Sequence, residues 1–219
     1  MEQIENQHSQ LGQDLWILES TNFKNNGYFI DIGAYDGIFH SNTYLLEKYG
    51  WTGICVEPSS KFNELLINRK CQVCNLIAYS ESNLEIDFYE TQNNLELSGI
   101  PYFFKNDGHE NSRTSYITYK KTTITLTDLC DKYKYPSIID YLSIDTEGSE
   151  LHILQNHDFN KYKFQYITIE HNRSHTYKQQ ISFFLKSKGY ELDNSDRFLN
   201  ITTNIDTNFD DWYVYKGSF

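Results

Sequence analysis

Short apolar runs alternate along the chain with segments in which apolar residues recur at helical spacing. Apolar runs of this length, bounded by polar or turn residues, are typical of buried strands. They predict strands over residues 28–33, 53–57, 71–78, 84–89, 138–144 and 166–170. The helical spacing predicts helices over residues 41–50, 61–69, 127–133, 150–156 and 176–188. This alternation from residue 28 to 188 indicates βαβ units and therefore an α/β fold, with a doubly wound, mostly parallel sheet in a single domain over 1–219.

Three segments depart from this alternation. Residues 1–27 are polar apart from a helical patch at Leu15–Leu18, which predicts an N-terminal helical segment. Residues 91–121 are polar and rich in Gly, Pro and Asn, which predicts an irregular insertion; a long loop of this kind inside a domain is usually functional. Two late strands, near Leu199–Thr203 and Trp212–Tyr215, have no helix between them and so predict an antiparallel hairpin at the edge of the sheet.

Composition narrows the class of protein and of partner. A chain of 219 residues with 22% charged and 39% hydrophobic residues is typical of one globular domain. The net charge of −11 argues against binding along a nucleic-acid backbone or docking on an anionic membrane. The polar opening does not resemble a signal peptide, and no apolar run is long enough to span a membrane. The four cysteines lack zinc-site spacing, so we expect reduced thiols and a cytoplasmic protein.

Acidic residues stand at the carboxyl ends of four predicted strands. They are Asp31, Glu57, Asp145 and Glu170. In an open α/β sheet this edge is where ligands bind, at the point where the strand order reverses. Four carboxylates gathered on one edge repel one another, so we expect them to have cationic or hydroxyl-bearing partners.

The loop after the first strand favours a particular kind of ligand. Asp31 is placed to receive an ammonium group, and Glu57 is placed to accept hydrogen bonds from both hydroxyls of a ribose. The chain lacks the glycine-rich phosphate cradles of dinucleotide and nucleoside-triphosphate sites, and an acid before Gly33 would repel a pyrophosphate. These residues therefore predict a positively charged nucleoside without phosphate, which is the character of S-adenosylmethionine (SAM).

Several of these motifs resemble those of one methyltransferase family. The motifs are Asp31-Ile32-Gly33-Ala34-Tyr35-Asp36-Gly37, Val56-Glu57-Pro58, and the block from Asp140 through Ile144-Asp145-Thr146-Glu147-Gly148-Ser149-Glu150. In combination they resemble the FkbM family of SAM-dependent methyltransferases, and the segment Ser9–Asp14 resembles its entry segment. The resemblance runs from about residue 9 to 172. It implies a Rossmann-like class I methyltransferase fold, SAM as methyl donor, and O-methylation of sugars, glycolipids or natural products.

The resemblance also implies positions for the cofactor. Asp31, Gly33 and Tyr35 would surround the methionine part of SAM, and Glu57 would bind the ribose. Ile77, Ala78 and Tyr79 would border the adenine. The remaining expected contacts are Gln10 and Gln13 closing over the cofactor, Asp36 and Pro58 in the matched motifs, and Asp145.

Three catalytic arrangements are open for the methyl acceptor. In the first, Asp145 and Glu170 hold Mg²⁺ or Mn²⁺ against the acceptor oxygen, with Glu147, His171 or Asn172 completing the site. In the second, His171 or His175 acts as a general base. In the third, Asp145 or Glu170 is the base directly. His152 and His157 are expected at the surface, and Arg113 and Arg173 are expected to be solvated or to orient the substrate.

The sequence thus predicts an O-methyltransferase acting on a glycan or a small hydroxylated metabolite. The alternatives are an N-methyltransferase for small amines and a non-catalytic SAM-binding module. A nucleic-acid methyltransferase is disfavoured because the chain has neither a basic stripe nor a tetrapeptide of the Asp/Asn-Pro-Pro-Tyr type.

Overall fold

A computed structural model describes residues 8–104, 109–195 and 209–218, and within these ranges it contains ten strands and six helices. The helices are α1 (Gln13–Ser20), α2 (Tyr44–Lys48), α3 (Phe62–Asn68), α4 (Leu126–Tyr133), α5 (Glu150–Gln155) and α6 (His175–Ser187). The strands are β1 (Tyr28–Ile32), β2 (Thr52–Val56), β3 (Gln72–Cys74), β4 (Ile77–Ala78), β5 (Glu85–Thr91), β6 (Tyr116–Ile124), β7 (Ile138–Ile144), β8 (Lys163–Glu170), β9 (Tyr190–Leu192) and β10 (Asp210–Tyr215).

Seven strands form the main sheet in the order β3-β2-β1-β7-β8-β10-β9. The first five are parallel, and β10 runs antiparallel to both β8 and β9. The strand order reverses between β1 and β7, so the chain has the switch point of a doubly wound sheet at that position. The predicted α/β fold of one domain, with a mostly parallel sheet and an antiparallel edge, is confirmed.

Helices cover both faces of the main sheet, which explains why most residues of the central strands β1 and β7 are apolar on both faces. Successive residues of a strand face opposite sides, so Phe29 and Tyr141 pack with Trp16 of α1 on one face. Their neighbours Ile30 and Leu142 pack on the other face, in the cluster that includes residues of α4, α5 and α6. This two-sided core holds the strand ends, and the loops that follow them, in fixed positions. No helix among the described residues has the length and apolarity needed to span a membrane.

The sequence prediction was wrong about the segment between β2 and α4. The strand predicted over 71–78 is two strands, because the chain leaves the main sheet after β3 and β4 joins a second sheet of order β4-β6-β5. The side chain of Asn75, between β3 and β4, donates to the backbone oxygen of Glu57 at 2.8 Å. The strand predicted over 84–89 is β5, which pairs antiparallel with β6 and not with the main sheet.

The irregular insertion predicted over 91–121 contains most of a regular strand. Its second part forms β6, and short 3₁₀ turns lie over residues 95–97, 101–103 and 110–112. The strand escaped prediction because most of it is exposed: only Thr123 and Ile124 at its end are buried, so no apolar alternation marks it. The last part of the insertion therefore belongs to a small sheet beside the main one, together with β4 and β5.

The edge hairpin is built from different residues than predicted. The candidate strand at Leu199–Thr203 lies outside the described residues, and β10 pairs instead with β9 just after α6. β10 lies between β8 and β9, and its first residue, Asp210, is the register partner of Glu170 at the end of β8. Because β10 is antiparallel, it begins at the edge where the parallel strands end.

Candidate functional site

A cavity of about 350 Å³ lies over the carboxyl ends of β1, β2, β7 and β8 and the start of β10. This volume is in the range of small-molecule and cofactor sites. Twelve of the residues predicted from the sequence line it, namely Gln10, Gln13, Asp31, Gly33, Tyr35, Glu57, Pro58, Ile77, Ala78, Asp145, Glu147 and Glu170. Asn172, which the sequence analysis named as a possible metal ligand, lines it as well.

Three of the predicted site residues lie outside this lining. Asp36 accepts hydrogen bonds from the backbone N–H groups of Ile38 and Phe39, at 2.9 and 2.8 Å, and so stabilises its own turn. Tyr79 packs against the rings of Phe103 and His152 behind the cavity wall. His171 is the third, and its ring does not line the cavity.

His171, which directly follows β8, is buried next to Asp211 of β10. Its Nε2 lies 3.7 Å from a carboxylate oxygen of Asp211, and neither ring nitrogen has a hydrogen-bond partner among the described residues. The alternative base, His175, is the exposed first residue of α6. The expectation for His157 was wrong: it is buried and lies 3.0 Å from the backbone oxygen of Tyr162, and burial lowers its pKa to about 4.

On the β1 side of the cavity, the acidic residue is Asp31, the next-to-last residue of β1. Its side chain is buried, and Oδ2 accepts a hydrogen bond of 2.5 Å from the hydroxyl of Thr43. Burial raises the pKa of this carboxyl, while Thr43 and the charge of Arg69 lower it in part. Gly33 follows closely, and a Cβ there would lie 1.7 Å from the backbone oxygen of Asp145. The loop after β1 therefore lies directly against the loop after β7.

Glu57 stands at the end of β2 as part of a backbone turn. Its two carboxylate oxygens accept from the backbone N–H groups of Tyr35 and Ser59, at 2.8 and 2.7 Å. Tyr35 has the left-handed φ of 49°, a strained conformation that often marks functional loops. Burial raises the pKa of Glu57, and the two backbone bonds oppose this rise. Each of these oxygens keeps a lone pair for a further donor.

On the β8 side of the cavity, three carboxyls come from three neighbouring strands. Asp145 follows β7, Glu170 ends β8 and Asp210 begins β10. Asp145 is open to the cavity, but the protein surrounds that cavity, and this burial raises its pKa to about 6 despite a hydrogen bond with Glu170. Burial and the charge of Asp145 raise the pKa of Glu170 well above its usual range. Burial also raises the pKa of Asp210 to about 7, although Gln13 donates to it at 2.7 Å.

Of the residues predicted to hold a metal, Asp145 and Glu170 lie close together, whereas His171 does not join them. The one group in the described residues with spacing suited to a cation is Asp145, Glu150 and Glu170, whose ligand atoms lie within 4.8 Å of one another. Glu150 replaces the predicted His171, and its Oε1 already accepts from the backbone N–H groups of Thr146 and Gly148 and from the Thr146 hydroxyl. Its Oε2 accepts from the hydroxyl of Tyr177 at 2.9 Å. All the carboxylate oxygens of Glu150 are thus bonded within the protein, which leaves Asp145 and Glu170 as the two carboxyls of this group that are not bonded in this way.

Glu147 occupies a strained position at the wall of the cavity. It has a φ of 59° and is buried, and its Oε2 lies 3.0 Å from a guanidinium nitrogen of Arg113. Asn172, also left-handed at φ 48°, directs Nδ2 to the same oxygen at 3.5 Å. Arg113 is buried and its guanidinium lies over the ring of Phe104 at 4.0 Å, so the expectation of a solvated arginine was wrong. This ion pair joins the small sheet to the loop after β7.

Sequence reasoning missed other residues of the lining. The missed polar residues include Asn42, Ser143 and Asp210. Asp210 carried a usable signal, because an antiparallel strand at the end of such a sheet must begin at the ligand-binding edge. Asn42 carried none: it is one polar residue among several in a loop, and its position depends on a bond from its Nδ2 to Ser143 at 2.9 Å.

Comparison with known proteins identifies the domain. The family model of the methyltransferase FkbM domain matches residues 31–192 of the 219. The match begins at Asp31, near the end of β1, and closes at the last residue of β9, so it includes the last two residues of β1 and every later strand of the main sheet except β10. A search of curated proteins gave no match.

Proposed function

The chain belongs to the FkbM methyltransferase family, and from this premise we propose that it transfers the methyl group of SAM to a hydroxyl group of a sugar, a glycan or another small hydroxylated molecule. The observation that carries the proposal is the gathering of Asp31, Glu57 and Asp145 around one cavity at the switch point of the sheet. That membership supports a methyltransferase; the identity of the methyl donor and of the acceptor is our proposal.

The lining of the cavity fits the chemical groups of SAM. Asp31 is a buried carboxyl without a direct cationic partner at hydrogen-bond distance among the described residues, which suits an ammonium group. The carboxylate of Glu57 suits a ribose diol, while the apolar Ile77, Ala78 and Phe88 suit the face of an adenine. Asn42 adds a buried side-chain oxygen with no hydrogen-bond partner in the described part of the chain, which suits a hydrogen-bond donor of the ligand.

When bound, SAM supplies an electrophilic methyl group on a sulfonium centre. The residues of this chain then orient the acceptor and remove its proton. In our proposal Glu170 stays protonated and donates its hydrogen bond to Asp145, since its pKa is raised well above that of a free carboxyl by burial and by the charge of Asp145. Asp145, with a pKa of about 6, is then mostly ionised at pH 7 and accepts the proton of the acceptor hydroxyl.

This mechanism uses no divalent metal. Glu150 accepts three hydrogen bonds from its own turn and one from Tyr177, and the His171 ring lies outside the cavity lining. A carboxyl pair that shares a proton is also a poor cation ligand, because metal binding requires both groups to be deprotonated. The general-base arrangement at Asp145 therefore fits these residues better than the arrangement with Mg²⁺ or Mn²⁺.

A second candidate function is N-methylation of a small amine. It is favoured by the row of Asp145, Glu170 and Asp210, together with the unpartnered oxygens of Glu170 and Asn172 among the described residues. These groups accept hydrogen bonds and suit an ammonium group as well as hydroxyls. Parallel assays with polyols and with amines of matched size separate the two functions.

Calorimetric titration with SAM tests the proposal. We expect micromolar binding to the wild type, unchanged by EDTA, and a loss of at least tenfold in Glu57→Gln because an amide oxygen replaces a charged acceptor. Glu191→Gln, at an exposed position on β9, is the matched control and should bind like the wild type. A folded wild-type protein that fails to bind SAM with or without Mg²⁺ would refute the cofactor assignment.

A further inference from the structure

A buried arginine that the proposed chemistry does not use lies next to the cofactor side of the cavity. Arg69 directly follows α3, and its side chain has no exposed surface. Its Nε lies 3.2 Å from Glu47 on α2, and Nη1 donates to the backbone oxygen of Gly37 and to the hydroxyl of Ser41, both at 3.3 Å. Its Nη2 donates to the hydroxyl of Thr43 at 3.1 Å. One guanidinium therefore holds both ends of the loop 37–43.

The hydroxyl of Thr43 connects Arg69 to Asp31. A guanidinium can only donate, so the Thr43 oxygen accepts from Arg69 and must direct its own proton elsewhere. That proton points to Oδ2 of Asp31, 2.5 Å away. Each bond in this chain has a charged end, and hydrogen bonds in such a chain strengthen one another. Thr43 itself is fully buried, which fixes its hydroxyl in this orientation.

We propose that Arg69 and Thr43 form a relay that positions the Asp31 carboxylate for the ammonium group of the cofactor and keeps it ionised inside the protein. The role of Asp31 rests on the proposed function, whereas the relay itself does not. Both residues act through Asp31 and are positioning residues. Neither one lines the cavity.

The surroundings of Asp31 explain why such a relay is needed. The other titratable groups that act on it are Asp145, Tyr141 on β7 and Cys55 on β2, and none of them carries a positive charge. Arg69 is the cation that lowers the pKa of Asp31 against the effect of burial. A direct Arg69–Asp31 ion pair would satisfy the carboxylate and compete with the ligand. With a hydroxyl between them, Asp31 gains the field of the cation while the carboxylate still has an acceptor oxygen to offer.

The relay also orders the cavity wall. The same guanidinium bonds Ser41, and Ser41 accepts from the backbone N–H of Tyr44 at the start of α2. Ser41 lines the cavity together with His40 and Asn42. Loss of the arginine should therefore loosen this wall, whereas loss of the Thr43 hydroxyl removes the bonds to Asp31 and to Nη2 of Arg69 but leaves the bonds of Arg69 to Gly37, Ser41 and Glu47 in place.

Thr43→Val and Thr43→Ser are the decisive variants. Valine keeps the shape of threonine but removes the hydroxyl, whereas serine retains it. We expect the Kd for SAM at pH 7 to rise about tenfold in Thr43→Val and to stay within about twofold of wild type in Thr43→Ser. The acidic limb of the binding profile should move up by about one pH unit in the valine variant, because Asp31 then protonates more readily.

A second measurement needs no cofactor. The titration of the Asp31 side-chain carbon is followed by ¹³C NMR, with the signal assigned by its loss in Asp31→Asn. We expect its midpoint to rise by about one pH unit in Thr43→Val and in Arg69→Met, and to stay unchanged in Thr43→Ser. If the wild type does not bind SAM, the proposed function fails and this titration still decides the relay. An unchanged Asp31 midpoint in a folded Thr43→Val protein would overturn the relay, whatever SAM does.

Discussion

Two consecutive carboxyls at the start of β10 should respond in opposite ways to the same substitution. Asp210 faces the cavity beside Asp145, and burial raises its pKa to about 7. Asp211 faces the other side of the strand, where Lys178 lies 2.8 Å away. Burial alone would raise the pKa of Asp211, but Lys178 and His171 lower it below its usual value. Asp210→Asn removes a charge that the fold disfavours, and Asp211→Asn removes one that it stabilises.

The effect of Asp210 on the free energy of unfolding follows from the difference between its pKa values in the unfolded and native states. A carboxyl with an ordinary pKa of 3.8 and a native pKa of about 7 corresponds to roughly 4 kcal/mol at about 1.4 kcal/mol per pH unit. Because the side chain is partly open to water in the cavity, we reduce this to ~2 kcal/mol. The native pKa lies above the unfolded one. The contribution of Asp210 to stability is therefore complete below about pH 4 and is lost as the pH rises to about 7.

Urea denaturation of the cofactor-free protein at pH 5 and pH 8 measures both effects. We expect Asp210→Asn to raise the free energy of unfolding by ~2 kcal/mol at pH 8, and by clearly less at pH 5, where native Asp210 holds its proton. Asp211→Asn should lower stability at pH 8, because Lys178 then lacks its partner. If Asp210→Asn is neutral or destabilising at pH 8 while the m value is unchanged, then Asp210 is not a disfavoured charge and the reasoning fails.

Three further predictions concern the rest of the site and the core. Asp145→Asn should lower kcat at least ~100-fold, whereas Glu170→Gln, which resembles the protonated acid, should keep most activity. Both rates are measured as the formation of S-adenosylhomocysteine with an acceptor found by screening, and equal losses would contradict the assigned roles. Arg113→Met should lower the free energy of unfolding by about 3 kcal/mol, because it leaves Glu147 buried without its cation. In urea denaturation, the double variant Arg113→Met with Glu147→Gln should regain part of this stability, and no gain would refute the pairing. Because burial holds the pKa of His157 at about 4, its contribution to stability should be lost as the pH falls from about 6.5 to 4, and calorimetry of His157→Gln should show a weaker loss over that interval than the wild type does.

The sequence predicts those elements whose two faces are both covered. β7 agrees with the predicted 138–144 because a strand with helices on both sides is mostly apolar along its length. β6 was missed because it is exposed along most of its length, and its pairing with β5 comes from backbone bonds that leave little trace in side-chain type. The break between β3 and β4 was missed for a related reason, since both pieces are apolar and periodicity cannot reveal that they belong to different sheets.

The site was predictable to the extent that strand order determines it. Carboxylates that end parallel strands must meet at one edge, which is why Asp31, Glu57 and Asp145 could be grouped before the fold was known. The placement of His171 beside Asp211, away from the cavity, depends on how the chain turns after β8, and residue type says nothing about that turn. Arg69 was overlooked because its function depends on bonds between two loops and a helix that are distant in sequence.

Because β10 is the last strand in the sequence, the two sides of the cavity are synthesised at different times. The residues of the β1 and β2 side of the cavity, with the small sheet that holds β4, have all been synthesised by residue 124, whereas the wall next to Glu170 waits for residues 209–215. β9 is made before β10 but has no partner in the sheet until β10 inserts between it and β8. A nascent chain can therefore form the place for a nucleoside long before it can enclose an acceptor. If translation stops before β10 is made, the released polypeptide would have an incomplete cavity in which carboxylates such as Glu170 are exposed to water.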